Sequence, residues 1–391
     1  MLCDKTLCTG CRACENICPK KSIAMREDEE GFLRPEIDES LCSHCGLCEK
    51  ACPVLIDPDF QKLSEPGVYA CWSQDEEVRE KSSSGGVFSL LAKAVLDEGG
   101  VVFGAAFDEQ LRVQHTHIED YCQIDDLRRS KYVQSDTGDS YQKVEAFLKA
   151  GRTVLFVGTP CQVAGLNGYF KKDYDRLTTC SFACYGVPSP KVWQSYLSYR
   201  QNEHGKKIKT VSFRDKQESD WFNCNMRMVF EDDSVDIRPL KQDAYYVGFG
   251  RSLFTRPSCF DCRFRYTNTK ADITLADFWG IDKLEGFDVP LDRGVSLVLT
   301  NSKKGDDLME KISTTLFVQK RTFDEAVKYN PKLVSSARIP TNRARFFKDF
   351  KKGVPFNRLV HRYMRNTGLK AEIKKRIKAI LGENIIKKIK G

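Results

Sequence analysis

The sequence predicts an α+β protein in three parts: a small cysteine-rich head, a larger mixed α/β core, and a basic helical tail. Three observations carry this reading. Eight of the seventeen cysteines fall in two matched runs near the N-terminus. From about residue 66 onward, short apolar runs alternate with segments whose apolar residues recur at helical spacing. From Thr341 the chain carries sixteen Lys or Arg against three acids, although its whole net charge is only +8, so the rest is mildly acidic. The parts are drawn at residues 1–57, 66–335 and 336–391.

Composition narrows the class. At 391 residues, with 41% hydrophobic and 30% charged residues, the chain has the make-up of a soluble globular protein with room for a large core. The opening "MLCDKTLCTGC" has no apolar leader, and no run of eighteen apolar residues occurs. Seventeen cysteines in such a chain point to metal binding in a reducing cytoplasm rather than to disulfides.

The head comes first. Cys8, Cys11, Cys14 and Cys18, followed by Pro19, read C-x2-C-x2-C-x3-C-P, and Cys42, Cys45, Cys48, Cys52 and Pro53 repeat that spacing. Three thiolates two residues apart wrap three corners of one cubane, and the fourth points to the cubane of the other repeat. One [4Fe-4S] cluster is therefore expected on Cys8, Cys11, Cys14 and Cys52, and another on Cys42, Cys45, Cys48 and Cys18. Gly10 and Gly46 lie where backbone must pass close to sulfide. Zinc would take its cysteines as two C-x2-C pairs per ion, which is not this pattern. Residues 1–57 resemble a bacterial-type two-cluster ferredoxin domain. His44, set between two cysteines, reads as a solvated loop residue because eight thiols already suffice.

In the core, "SSSGG" (Ser82, Ser83, Ser84, Gly85, Gly86) precedes "VFSLLAKAVLDEGG", a helix by its spacing. "VVFGAAF" and "TVLFVG" read as strands and "PKVWQSYLSYRQ" as an amphipathic helix. Ser and Gly at a helix start leave N–H groups free, which suits a cofactor phosphate, although such loops also simply cap helices. Cys161, between a Gly-Thr-Pro turn and a helix start, suits a nucleophile, a metal ligand or a small buried residue.

Four stretches, "KSSSGGVFSLLA", "VGTPCQVAGL", "CYGVPSPKVW" and "SCFDCRFRYTNTKADITLADFWGI", resemble in order and spacing the beta-subunit family of coenzyme F420-reducing hydrogenase and F420-linked formate dehydrogenase. The resemblance covers about residues 66–300. It implies a flavin, FAD or FMN, next to a third, core [4Fe-4S] cluster. The cysteines agree with it: Cys259 and Cys262 form a C-x2-C pair, and Cys161 and Cys184 each sit at a turn after a strand. Together they make four thiolates, so Cys161 reads as a ligand. A nucleophile would need a base, and none of His44, His115, His117, His204 and His361 carries a signature linking it to Cys161. Cys3, Cys71, Cys122, Cys180 and Cys224 are left unligated, with Cys180 the nearest competitor of Cys184. The flavin phosphates are expected against Ser82–Gly86 and against Gly158 and Thr159. Lys131 matches a basic position of the family and would hold a phosphate or polarise the flavin. Asp277 and Trp279 follow a strand, and Trp279 reads as cofactor cover or as core.

The parts together imply an iron–sulfur flavoprotein oxidoreductase. Electrons from a reduced ferredoxin would pass through the clusters to a flavin and then to an organic substrate. Bacterial relatives often occur with surface-polysaccharide enzymes, which makes a sugar intermediate the candidate substrate. The alternatives are an electron-transfer subunit serving a separate catalytic chain and an F420-linked reductase. In the tail, Ile373, Ile377, Ile380, Leu381, Ile385 and Ile389 share one helical face with lysines opposite. That pattern fits the inner membrane surface and a lipid-linked substrate, or a helix packed on the acidic body. Nothing accompanies the charge that would read nucleic acid.

Overall fold

Among the described residues, thirteen strands are laid down in chain order, and all but five join one sheet. In the head, β1 (Ile23–Glu27) and β2 (Leu33–Ile37) form an antiparallel hairpin between the two cysteine loops. The core opens with β3 (Gly67–Ser73), β4 (Val101–Phe107), β5 (Val113–Ile118), β6 (Val154–Val157) and β7 (Leu177–Phe182). A separate antiparallel sheet of β8 (Ile208–Asp215), β9 (Asn225–Phe230) and β10 (Val235–Pro239) is inserted next. The chain then returns with β11 (Ile273–Asp277), β12 (Ser296–Thr300) and β13 (Leu316–Lys320), giving the order β13-β3-β12-β11-β7-β6-β4-β5. This computed structural model describes residues 2–56, 66–265, 270–287 and 291–364. The amphipathic stretch expected over residues 373–389 lies outside the described residues.

The four inner strands β4, β6, β7 and β11 are parallel, with Val101 opposite Val154, Val154 opposite Leu177, and Cys180 opposite Ile273. Parallel strands need both faces covered, so both sets of alternating residues are apolar. Val102, Leu155, Cys180, Ile273 and Val298 face the helices Val87–Asp97 and Lys303–Ile312. Val101, Phe103, Val154, Phe156 and Leu177 face the helices Ser140–Lys149 and Pro160–Phe170. Each fully buried Leu, Val or Phe contributes about 1.5–3 kcal/mol here. Cys71 and Cys180 sit within the first of these layers as small apolar residues.

The head is built onto the second layer. Ala13 and Ala51 pack among its residues, and the helix Pro160–Phe170 meets them with glycines. A Cβ on Gly168 would lie 2.3 Å from the Ala51 carbonyl oxygen, and one on Gly165 would lie 2.9 Å from Cys11 Sγ. Ion pairs join Lys191 to Glu27 (3.2 Å) and Lys351 to Glu29 (2.6 Å), and Arg343 is paired with Glu30. A third, largely aromatic core lies under the three-stranded sheet, around Trp193 and Tyr196 of the helix Pro190–His204. Phe346, Phe347, Leu359, Tyr363 and Met364 join it, so the described part of the basic tail is packed into the body.

Candidate functional site: three thiolate sets and a cavity

Each cysteine run places a helix of about one turn behind its loop. The two loops match residue by residue. Gly10 and His44 precede the second cysteine of each run with φ +72° and +51°, and Arg12 and Gly46 follow it with φ +61° and +70°. These left-handed turns aim three sulfurs inward. His44 is mostly exposed, and its N–H donates to Cys42 Sγ (3.4 Å). The fourth sulfur of each set comes from the other run. Cys18 joins Cys42, Cys45 and Cys48 around a cavity of about 210 Å³ that Pro19 also lines. Cys8, Cys11, Cys14 and Cys52 gather in the other set, Cys8 and Cys11 buried and Cys14 and Cys52 half-buried, where burial, with Cys52 and Cys8 adding to it, pushes the Cys11 thiol up to about 12. Cys3, expected to stand apart as an unligated residue, lies against this set, with its thiol hydrogen-bonded to Cys52 and Cys8.

In the core, turns present the four candidate cysteines. Thr159 caps the helix Pro160–Phe170 by a capping box with Gln162, and Pro160 opens its first turn, which presents Cys161 directly after β6. Cys184 follows β7, and the turn Pro257–Cys259 brings Cys259 and Cys262 to the same place. All four line one cavity, and Cys180 does not. Burial pushes Cys161 up to about 12 and Cys259 up to about 11, and holds Cys184 well above the ordinary thiol range. Four adjacent thiols of this kind lose their protons only to a cation that takes the protons' place. The donor set therefore fits an iron–sulfur cluster.

Beside it lies a larger cavity of about 300 Å³. It opens at the C-terminal ends of β6, β7 and β11, the side where open α/β sheets bind ligands. Ser82, Ser83, Ser84, Gly86, Lys131, Gly158 and Thr159 line it, and Gly85 does not. Gly85 is pressed onto the sheet instead. Its N–H donates to Ser296 Oγ (3.0 Å), and a Cβ there would lie 2.4 Å from the Cys71 carbonyl oxygen. Gly86 (φ +90°) starts the helix Val87–Asp97 with no side-chain cap, leaving first-turn N–H groups towards the cavity. Cys184 and Gly186 line both this cavity and the thiolate cavity, so the two adjoin.

Cations surround the serine turn. Ser130 N–H donates to Ser83 Oγ (2.9 Å), while Arg129 pairs with Asp215 (3.1 Å) and donates to the Lys81 carbonyl (2.9 Å). Lys131 donates to the carbonyls of Leu127 (3.3 Å) and Arg128 (3.1 Å), and burial pulls its ammonium down to about 7. Across the cavity Arg214 makes a fork with Asp277, whose Oδ1 also accepts from Trp221 Nε1 (2.7 Å). Trp221 stacks on Trp279 at 4.6 Å, and Trp279 lines the cavity rather than filling the core. His115, also in the wall, donates from Nε2 to the Val157 carbonyl (3.1 Å) and accepts at Nδ1 from Ser135 Oγ (2.7 Å). Burial pulls it down to about 4, so it is neutral at pH 7. Arg214 and His115 were not singled out in the sequence because no local pattern marks them.

Comparison with known families decides the class. Two matches are to the coenzyme F420 hydrogenase/dehydrogenase beta subunit: its N-terminal part over residues 68–140 and its C-terminal part over residues 151–326. The chain belongs to this family. The F420 hydrogenase/dehydrogenase beta-subunit region is preceded by a 4Fe-4S dicluster domain at residues 7–56. Among solved structures, a chain of the F420-reducing [NiFe] hydrogenase complex from Methanosarcina barkeri is similar at 19% identity and a TM-score of 0.46, over 72% of this chain and 98% of that one. No curated protein matches. Among the described residues, no helix is long and apolar enough to cross a membrane.

Proposed function

We propose that the chain is an iron–sulfur, flavin-binding electron-transfer unit that serves a separate catalytic chain. The observation that carries this reading is the shared wall: Cys184 and Gly186 belong at once to the four-thiolate site and to the 300 Å³ cavity. Cys8, Cys11, Cys14 and Cys52, then Cys18, Cys42, Cys45 and Cys48, then Cys161, Cys184, Cys259 and Cys262 would hold three [4Fe-4S] clusters. When bound, a flavin would let electrons that arrive singly leave as a pair.

The residues of the cavity suit that cofactor. The free N–H groups at Gly86 and Val87, with the hydroxyl of Ser83, form an anion cradle at a helix N-terminus, while the hydroxyls of Ser82 and Ser84 shape the turn by donating to the carbonyls of Val78 (2.7 Å) and Val295 (2.9 Å). Lys131 sits at the edge of this cradle. A phosphate there would restore the charge that burial removes. The Arg214–Asp277–Trp221 assembly holds Trp279 as a flat wall for a ring system. His115, with its single N–H given to Val157 and its acceptor taken by Ser135, fixes the end of β6 and has no proton to hand on.

A second reading, reduction of an organic substrate on this chain itself, rests on the cavity's mouth. Phe182 and Tyr185 line the cavity yet stay about two-fifths exposed, at 40% and 42%. A sugar intermediate or F420 would enter there, with a reduced ferredoxin as donor. The test is anaerobic purification with iron and flavin analysis, then flavin reoxidation by candidate small molecules in the absence of any other protein. Rapid reoxidation by one small molecule would favour the second reading. Reoxidation that needs another chain would favour the first.

A further inference from the structure

We propose that Arg256 is the positioning residue that joins the first head site to the core site, and that its charge favours an electron on the first head site. The proposal rests on the cluster reading above and goes beyond it in naming how two of the sites are coupled.

Arg256 belongs to both sides of the junction. Its backbone is part of the core turn: its N–H donates to the Val187 carbonyl (2.9 Å), and its own carbonyl accepts from Cys259 N–H (3.1 Å). Its side chain crosses into the head. Nε donates to the Cys8 carbonyl (2.8 Å), Nη2 donates to the Leu33 carbonyl (2.9 Å) and to Cys8 Sγ (3.7 Å), and Nη1 donates to Gln134 Oε1 (3.0 Å). Gly10 leaves room for it, since a Cβ there would lie 2.8 Å from Nη1. One residue thus touches a ligand of the head set and shares a turn with a ligand of the core set.

Its charge balance is unusual. Arg256 is 1% exposed, and among the described residues no carboxylate pairs with it. A buried guanidinium without a counter-charge is strongly unfavourable. The group placed to supply the missing negative charge once it gives up its proton to a cluster is the Cys8 sulfur, which Nη2 reaches at 3.7 Å. Arg34 adds a second donor to the Cys8 carbonyl (3.1 Å) but has Asp28 as its own partner (2.9 Å). The second head set differs. Glu39, Glu49 and His44 line its cavity, and among the described residues no Lys or Arg does. Hydrogen bonds and net charge around sulfur set how readily a cluster is reduced. The buried cation therefore favours an electron on the first head site over the second.

The experiment is an EPR-monitored redox titration of the anaerobically reconstituted full chain, with Cys18→Ser used to assign the second head signal. In Arg256→Gln, the first head cluster should show about tenfold less reduced form at the potential where the wild type is half reduced. The second head cluster should titrate as in the wild type. Arg256→Lys keeps the charge without the fork and should fall between. If Arg256→Gln does not retain iron, Arg256→Lys carries the comparison. Wild-type titration of the first cluster in an iron-replete variant would overturn the proposal, and so would equal displacement of both head clusters, which marks general loosening. Wild-type chain lacking iron on Cys8, Cys11, Cys14 and Cys52 would overturn it together with the reading beneath it, and iron content tells that case apart.

Discussion

The two head loops have the same spacing and opposite surroundings. The first, with Cys8 and Cys11 buried, faces the helix Pro160–Phe170 and the guanidinium of Arg256. The second, with Cys45 exposed, faces solvent and acids. What differs is the residue beside each sulfur. Gly10 in the first loop admits Arg256, where His44 in the second points outward. Under the proposed function, two ligand sets of the same spacing would have different tasks: the outer one, with Cys45 exposed, would meet a donor protein, and the inner one, with Cys8 and Cys11 buried, would receive electrons through the protein.

The largest effect should come from the core. Cys161→Ser should remove about four of about twelve irons per chain and leave both head clusters in place. Iron analysis with EPR checks this, and unchanged iron would show that the core thiols hold no cluster. Next, Cys18→Ser should empty the outer set around Cys42, Cys45 and Cys48 and spare the inner one. Flavin bleaching by reduced ferredoxin should then slow at least about tenfold, whereas bleaching by dithionite should not. Equal rates with ferredoxin would move the entry point to the body.

A third comparison separates cavity from scaffold. Ser83→Asp puts a carboxylate in the cradle and should weaken flavin binding at least about tenfold with little change in Tm. Gly85→Ala, facing the Cys71 carbonyl, should cost about 1–3 kcal/mol of stability in a denaturant titration. Lys131 then sets a pH dependence. Its ammonium is held down near 7 in the free protein, and an anion favours the charged form. Flavin affinity should be highest below pH 7 and fall as pH rises through it, and Lys131→Met should flatten that profile in fluorescence titrations. The smallest effect is at His44→Gly, which relieves a left-handed backbone in an exposed loop. Thermal stability should change by less than about 1 kcal/mol, in either direction.

The legibility of the sequence follows the same division. The head is readable as a 4Fe-4S dicluster domain because eight sulfurs stand in two consecutive runs, whose spacing also predicts the crossed pairing. The strands "VVFGAAF" and "TVLFVG" and the helix after "SSSGG" were readable because their apolar periods are regular. The four core sulfurs come from three separate turns, and only the Cys259 and Cys262 pair announces itself. The serine turn expected to meet a cofactor phosphate lies along the cavity wall, except that Gly85 packs on the sheet and not on the cavity. Arg256, Arg214 and His115 left no local trace, because their partners lie far away in sequence: Cys8 for Arg256, Asp277 for Arg214 and Ser135 for His115. Charge alone marks one basic unit from residue 336, but Phe346, Phe347, Tyr363 and Met364 are core residues among the lysines and arginines.

The smooth helix face at Gly165 and Gly168 has a mechanical meaning. With no side chain between them, the Ala51 carbonyl and the Cys11 thiol rest on the helix itself, a contact that would resist rocking of the head. Carriers that swing a domain between donor and acceptor slow down in thick solvent, because the swing must push solvent aside. A seat this close would hold the inner cysteine set and the core set at one separation. Electron passage between them should therefore keep its rate when glycerol or sucrose is added, and only the arrival of the donor protein should slow.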